Sequence, residues 1–234
     1  TVQTLSTDTV ASQFAGGSWA SGGAIPAGVS SGMGFGTQTA SVIGGGYNGS
    51  TYVNTVYEYD GSSWTSGGSL TASAGQARSG HGVLTAGGAV AGYKTSGNAV
   101  IANYETYDGT SFTEQNDLNT ARQTLSAAGS TTAALAVGGT TSVGPGSTQT
   151  GLTNVESYNG SSWTETTENN TGRKQATSFS GGPAPTMIFV GGASGSTFYA
   201  NTETYNGSAW TETTDLNTAR SSYGGAGQAQ TDGL

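Results

Sequence analysis

The sequence predicts an all-β protein, a five-bladed β-propeller, and three observations carry that prediction. A seven-residue motif returns at a near-constant interval, apolar residues fall in short runs or strict alternation rather than at helical spacing, and 41 of the 234 residues are glycine. The motif is Tyr59-Asp60-Gly61-Ser62-Ser63-Trp64-Thr65. It recurs as Tyr107-Asp108-Gly109-Thr110-Ser111-Phe112-Thr113, Tyr158-Asn159-Gly160-Ser161-Ser162-Trp163-Thr164 and Tyr205-Asn206-Gly207-Ser208-Ala209-Trp210-Thr211, with a degraded copy at Phe14 to Ala20. The late aromatic of each copy, Trp19, Trp64, Phe112, Trp163 or Trp210, marks a period of about 47 residues, the length of one four-stranded propeller blade.

The elements of the repeat follow in a fixed order. Ten residues after the aromatic comes an arginine, Arg122, Arg173 or Arg220, with Arg78 as the second repeat's version after a four-residue insertion. Next is an apolar run closed by glycines: Ala40 to Gly46, Ala133 to Gly139 and Met187 to Gly192, with Val90-Ala91-Gly92-Tyr93 as a weaker copy. Such a run reads as a short buried strand, and the pattern places it innermost in the blade. The segments ending at Tyr107, Tyr158 and Tyr205 then alternate in the period of two that a half-buried strand requires. The Asp-Gly or Asn-Gly that follows marks a type I′ hairpin turn into a further strand. Helical spacing is absent, and β-branched and aromatic residues fill the periodic stretches. A lone blade cannot bury both faces, so the repeated aromatics Trp19, Trp64, Phe112, Trp163 and Trp210 read as packing between neighbours.

The same arithmetic sets the boundaries. Blades are expected at about 25–70, 71–118, 119–169 and 170–216, with a closing blade built from 217–234 plus 1–24. The wrap-around interval from Trp210 to Trp19 is close to the others, so a single closed ring is expected, with a slice of a longer array as the alternative. A joint made from both termini would hide edge strands that invite aggregation.

Composition excludes several functions. Fourteen acidic residues against six basic give a net charge of −8, too few cations to hold nucleic acid. There is no cysteine, hence no disulfide and no thiolate chemistry, and no apolar run approaches the roughly 20 residues of a membrane helix. No signal-peptide pattern opens the chain, and a soluble protein without membrane insertion is expected. His81 is the only histidine and belongs to no catalytic or metal motif. Glu105, Glu156 and Glu203 share one strand position and read either as a ring of carboxylates or as structural groups, solvated or paired with arginine. Arg78, Arg122, Arg173 and Arg220 either bond neighbouring carboxylates and carbonyls or line a face that takes an anionic sugar. Structural roles are the expectation for both sets, with no catalytic residue, metal or cofactor.

Together these residues resemble a kelch-type repeat: a buried strand ending in Gly-Gly, a following aromatic, then a tryptophan. The Tyr-to-Trp spacing is five, shorter than is usual for kelch proteins, and the second repeat carries Gly92-Tyr93 in place of a glycine pair. The string Asn201-x-Glu203-x-Tyr205-Asn206-Gly207-Ser208-x-Trp210-Thr211-Glu212, followed by Leu216-Asn217-Thr218-Ala219-Arg220, looks closer to the kelch-like proteins of marine bacteriophages. The resemblance implies a virion structural or tail-fibre protein, virion-bound or extracellular, whose partners are other virion proteins, copies of itself, or a host-surface glycan or protein.

The loop after the glycine-ended strand varies most between repeats, and variation on a fixed scaffold is where recognition concentrates. Aromatic rings beside amides and hydroxyls suit sugars, which makes Tyr47, Tyr52, Tyr93, Phe198 and Tyr199 the candidate ligand-binding residues. The expected function is non-enzymatic display of these loops. The alternative is a decoration or assembly subunit that binds only its own assembly. Four glycosylation sequons occur, at Asn48, Asn159, Asn169 and Asn206; three lie on Asn-Gly turns that hairpin geometry already explains.

Overall fold

The computed structural model of the chain describes residues 22–71, 75–94, 96–143, 149–180, 186–222 and 224–225. Trp19 and most of the expected closing blade lie outside them. The architecture is that of a β-propeller: nineteen strands and no helix among the described residues, in four antiparallel blades around a channel.

In blade 1, β1 (Met33–Thr37), β2 (Ala40–Gly44), β3 (Val56–Tyr59) and β4 (Trp64–Ser66) pair in sequence order from the channel outward. Blade 2 contains β5 (Gly75–Gln76), β6 (Ser79–Val83), β7 (Ala86–Lys94), β8 (Ala99–Tyr107) and β9 (Phe112–Glu114); β5 and β6 share β7 as partner. Blade 3 is β10 (Ser126–Gly129), β11 (Ala134–Val137), β12 (Val155–Tyr158) and β13 (Trp163–Glu165). Blade 4 begins with β14 (Thr177–Ser180) and β15 (Met187–Val190). A small hairpin, β16 (Ala193–Ser194) and β17 (Thr197–Phe198), interrupts it before β18 (Thr202–Tyr205) and β19 (Trp210–Glu212).

Two expectations need correction. The glycine-ended run is the second strand of each blade, β2, β7, β11 or β15; the innermost strand is the Gly-, Ser- and Ala-rich segment before it. Neighbouring innermost strands approach closely: a Cβ on Gly80 would sit 2.5 Å from the Gly34 carbonyl oxygen. The Asp/Asn-Gly hairpin is likewise a four-residue loop, not a two-residue type I′ turn. Asp60 N donates to Ser63 O, and the Asp60 Oδ1 accepts from the Ser62 and Ser63 amides at 2.8 Å each. Only the glycine adopts positive φ, at +95° for Gly61, because the carboxylate or amide side chain supplies the acceptor that closes the turn. Asp108, Asn159 and Asn206 repeat this arrangement.

The second repeat's glycine pair is displaced by one residue from the sequence reading. Ala91-Gly92 occupies the positions of Gly138-Gly139 and Gly191-Gly192, with Ala91 at φ +53° and fully buried. A β-bulge between Val90 and Gly92 accompanies this substitution.

The hydrophobic cores lie between blades. Val42, Val56 and Leu70 of blade 1 pack with Tyr107 and Phe112 of blade 2. Val90, Tyr104 and Leu118 pack with Tyr158 and Trp163 of blade 3. Leu135, Val137 and Val155 pack with Phe189, Tyr205 and Trp210 of blade 4. Within each blade the motif's tyrosine and late aromatic are cross-strand partners, with ring centroids 4.5–5.1 Å apart. The Trp64 and Trp210 indoles also donate across to the preceding connection, at Gly23 O and Thr167 O, 3.0 Å each.

Around the channel mouth, Ser31, Ala77, Thr124, Gln175 and Ser222 all adopt left-handed φ between +54° and +58°. Their backbones form a chain of hydrogen bonds: Ala77 N to Ser31 O, Thr124 N to Ala77 O, Gln175 N to Thr124 O and Ser222 N to Gln175 O, 2.8–3.0 Å. None of the five is glycine or asparagine, so each position carries a backbone cost that the interblade bonds offset.

Candidate recognition face and central channel

Antiparallel pairing puts the start of every innermost strand, the end of the second strand and the start of the third at one end of the blade. The variable connections therefore emerge on the face that surrounds the channel mouth. In blade 1 the connection is a tight loop in which Tyr47 bridges Ser30 and Tyr52, and the two tyrosine rings lie 5.0 Å apart. The Tyr47 hydroxyl donates to Gly49 O at 3.0 Å, and Asn48 caps the Ser50 and Thr51 amides. In blade 2 the same connection grows into a raised extension of β7 and β8, where Tyr93 pairs with Gln76 and Val100 and its hydroxyl donates to Asn98 Oδ1. In blade 4 it is the β16–β17 hairpin, which leaves Phe198 59% exposed and Tyr199 half-buried.

The five candidate residues thus occupy the corresponding connections of blades 1, 2 and 4. They are not gathered into one site: Tyr47 and Tyr52 share a loop, Phe198 and Tyr199 share another, Tyr93 stands between them in blade 2, and none borders the channel cavities.

Beneath these loops lie three buried ion pairs. Arg78 Nη1 meets Glu105 Oε1 at 2.7 Å, Arg122 Nη2 meets Glu156 Oε1 at 2.9 Å, and Arg173 Nη1 meets Glu203 Oε1. Each carboxylate also binds the connection from the preceding blade. The amides of Thr71, Asn119 and Asn170 donate to Glu105, Glu156 and Glu203 at 2.6–2.7 Å. Each guanidinium holds a carbonyl of the second strand, Ala89, Ala136 or Phe189. Burial raises the Glu105 carboxyl, but the Arg78 charge and the Thr71 hydrogen bonds outweigh it and hold the pKa below the usual carboxylate value. The Arg122 guanidinium is pushed down by burial against the pull of Glu156 and Glu165. These side chains are committed to one another, and chemistry on a substrate would leave a buried charge unpaired.

Arg78 reaches this arrangement from a different backbone position. Arg122 and Arg173 lie two residues before the left-handed residue of their blade, whereas Arg78 lies one residue after Ala77, yet its guanidinium meets the equivalent carboxylate and carbonyl. Blade 1 lacks both partners, with Val29 and Tyr57 at the corresponding places. Arg220 is exposed, its Nε donating to Thr218 O at 3.3 Å.

His81 is buried at the blade 2–3 interface, its ring stacked on Tyr104 at 5.7 Å. Neither nitrogen meets a partner at hydrogen-bond geometry, and burial pushes the imidazole down to about 4, with only a weak opposing pull from the Gly129 backbone. Such a ring is neutral at pH 7. Asn169 is buried as well, with both side-chain polar atoms unpaired, so its sequon is shielded. Among the described residues no group of three or more His, Cys, Asp or Glu is placed to hold a metal ion.

The channel itself contains two adjoining chambers. The upper, about 550 Å³, is bordered by Thr124, Gln175 and Ser222 of the mouth and by Ser79, Ser126 and Thr177 below them. The lower, about 580 Å³, is bordered by Phe35, His81, Val83 and Phe179. Sequence reasoning did not identify these lining residues, because they share no motif.

No protein-family model matches the chain, and no curated protein matches it. The fold and the geometry of its loops are therefore what the functional reading rests on.

Proposed function

We propose that this chain is a five-bladed, kelch-like propeller that serves as a rigid, non-enzymatic recognition module, virion-borne or extracellular, whose variable connections bind a host-surface glycan or protein. The observation that carries the reading is the common face. Connections of differing length and residue choice rise at one end of a scaffold fixed by buried ion pairs, and they present aromatic rings beside amides, with Phe198 59% exposed. Weak contacts at several blades would add through multivalency.

Five-bladed closure is supported by the fifth left-handed residue, Ser222, which continues the mouth's hydrogen-bond chain, and by Arg220, whose carbonyl accepts from Gly192 N at 2.8 Å. The tail-fibre assignment rests on the motif resemblance alone.

A glycan-array screen of the purified chain, presented singly and as a multimer, tests the recognition reading. Saturable binding that is lost on Phe198→Ala, Tyr93→Ala or Tyr47→Ala, with unchanged unfolding temperature, is the expected result. No binding in either form, together with self-association in solution, would replace the reading by the assembly-only role.

A further inference from the structure

We infer that the upper chamber of the channel is a binding site for a small oxyanion, of the sulfate, phosphate or carboxylate class. The inference is separate from the loop reading, since none of the five loop aromatics borders this chamber.

Two observations point to an anion. First, no aspartate or glutamate among the described residues borders the chamber, whose polar lining apart from Arg78 is hydroxyl, amide and backbone. Arg78 borders it too, with its charge committed to Glu105. Second, a buried cation stands behind one wall. Lys174 is 5% exposed, forms no ion pair among the described residues, and donates from Nζ to Gln175 Oε1 at 3.2 Å. A buried ammonium held by a single neutral acceptor is costly, and burial already pulls its pKa down.

The geometry of Gln175 converts that cost into directionality. Its Oε1 accepts from the ammonium, which orients the half-buried amide and leaves its Nε2 hydrogens without a partner among the described residues, and Gln175 lines the chamber. Thr124 and Ser222 flank it in the backbone chain of the mouth. An oxyanion seated there would accept from Gln175 Nε2 and the Ser222 hydroxyl, the Thr124 hydroxyl being committed to the Gln123 carbonyl at 2.7 Å, and would balance the charge of Lys174 through one intervening amide. The equivalent of Lys174 in blade 3 is Gln123, whose Nε2 donates to Ser142 O, so the cation is confined to one side of the mouth and predicts one anion per chain.

The test is calorimetric titration of the full chain with sodium sulfate, sodium phosphate and sodium glucuronate, at ionic strength held constant with chloride. Saturable binding of at least one of them, near one per chain, is expected. Lys174→Gln and Gln175→Ala should each weaken it by about tenfold or more, the loss of one charge-assisted hydrogen bond. Sulfate or phosphate binding without glucuronate would identify a free inorganic ion as the occupant; glucuronate binding would identify an acidic sugar. Because Lys174→Gln removes a buried charge, both variants are checked for an unchanged far-ultraviolet spectrum, and Gln175→Ala serves should the other fail to fold. No saturable binding of any of the three, or full-strength binding in Gln175→Ala, would overturn the assignment.

Discussion

Replacing Glu156 by glutamine leaves the side chain's shape unchanged and removes its charge. Glu156 and Arg122 have no exposed side-chain surface, and the carboxylate accepts from Arg122 Nη2 at 2.9 Å, Asn119 N at 2.7 Å, Asn119 Nδ2 at 3.0 Å and Thr120 N at 3.3 Å. An amide can accept at one atom only, so part of this set loses its acceptor and the Arg122 guanidinium becomes an uncompensated buried charge. Breaking a buried pair in this way costs about 3–5 kcal/mol. For a domain of this size that corresponds to a melting temperature lower by roughly 6–20 °C. Urea unfolding followed by tryptophan fluorescence reports the free energy directly, with an unchanged slope confirming that the same surface unfolds. The double variant Arg122→Val with Glu156→Tyr copies the residues at the corresponding places in blade 1 and should recover more than half of the loss, because no lone charge remains. A Glu156→Gln variant within about 1 kcal/mol of the parent, the range of exposed pairs, would show that the pair does not fasten the blade.

Three further outcomes are expected. His81 has a folded pKa of about 4 against an ordinary 6.5, so the unfolded chain takes up its proton first and stability falls as pH drops from 6.5 to 4, by about 3 kcal/mol. His81→Phe, the residue found at the matching positions 35 and 179, should flatten stability–pH profiles across that window; an unchanged slope would show that His81 is not the titrating group. Asn159→Asp and Asn206→Asp should leave stability at pH 7 equal or higher, since Asp60 already serves the same turn with its pKa lowered to about 2 by the Ser63 and Ser62 amides. That gain should disappear in unfolding measurements as pH falls from about 4 to 2. Gly138→Ala should be strongly destabilising in the same assay: its φ of +64° disfavours a side chain by about 1–2 kcal/mol, and the new Cβ would lie 2.4 Å from the Arg173 carbonyl oxygen.

The blades were legible in the sequence because their outer halves repeat in side-chain chemistry. Tyr158, Asn159, Gly160 and Trp163 each perform a local task that few residue types can do, and the same tasks recur at Tyr205, Asn206, Gly207 and Trp210. The axis was illegible for the opposite reason. The mouth is joined by main-chain atoms, so Ser31, Ala77, Thr124, Gln175 and Ser222 share a conformation without sharing a chemistry. Arg78 was legible as its repeat's arginine although it meets the equivalent carboxylate from an altered chain position, whereas the glycine pair of its blade was misplaced because Ala91, a less suited residue, takes the first left-handed position. The loop aromatics and their division among the connections were legible from the repeat, but the pairing of Tyr93 with Gln76 and of Tyr47 with Ser30 and Tyr52 depends on strand register, which a one-dimensional pattern does not contain.

The backbone-joined mouth also bears on how such a molecule can be altered. Blades 2, 3 and 4 each meet the hub through the same two atoms, one amide nitrogen and one carbonyl oxygen, whatever side chain stands there. A blade is to that extent an interchangeable part: its outer strands and loops can be redesigned, or one blade transplanted into a neighbour's place, without rewriting the axle on which the others turn.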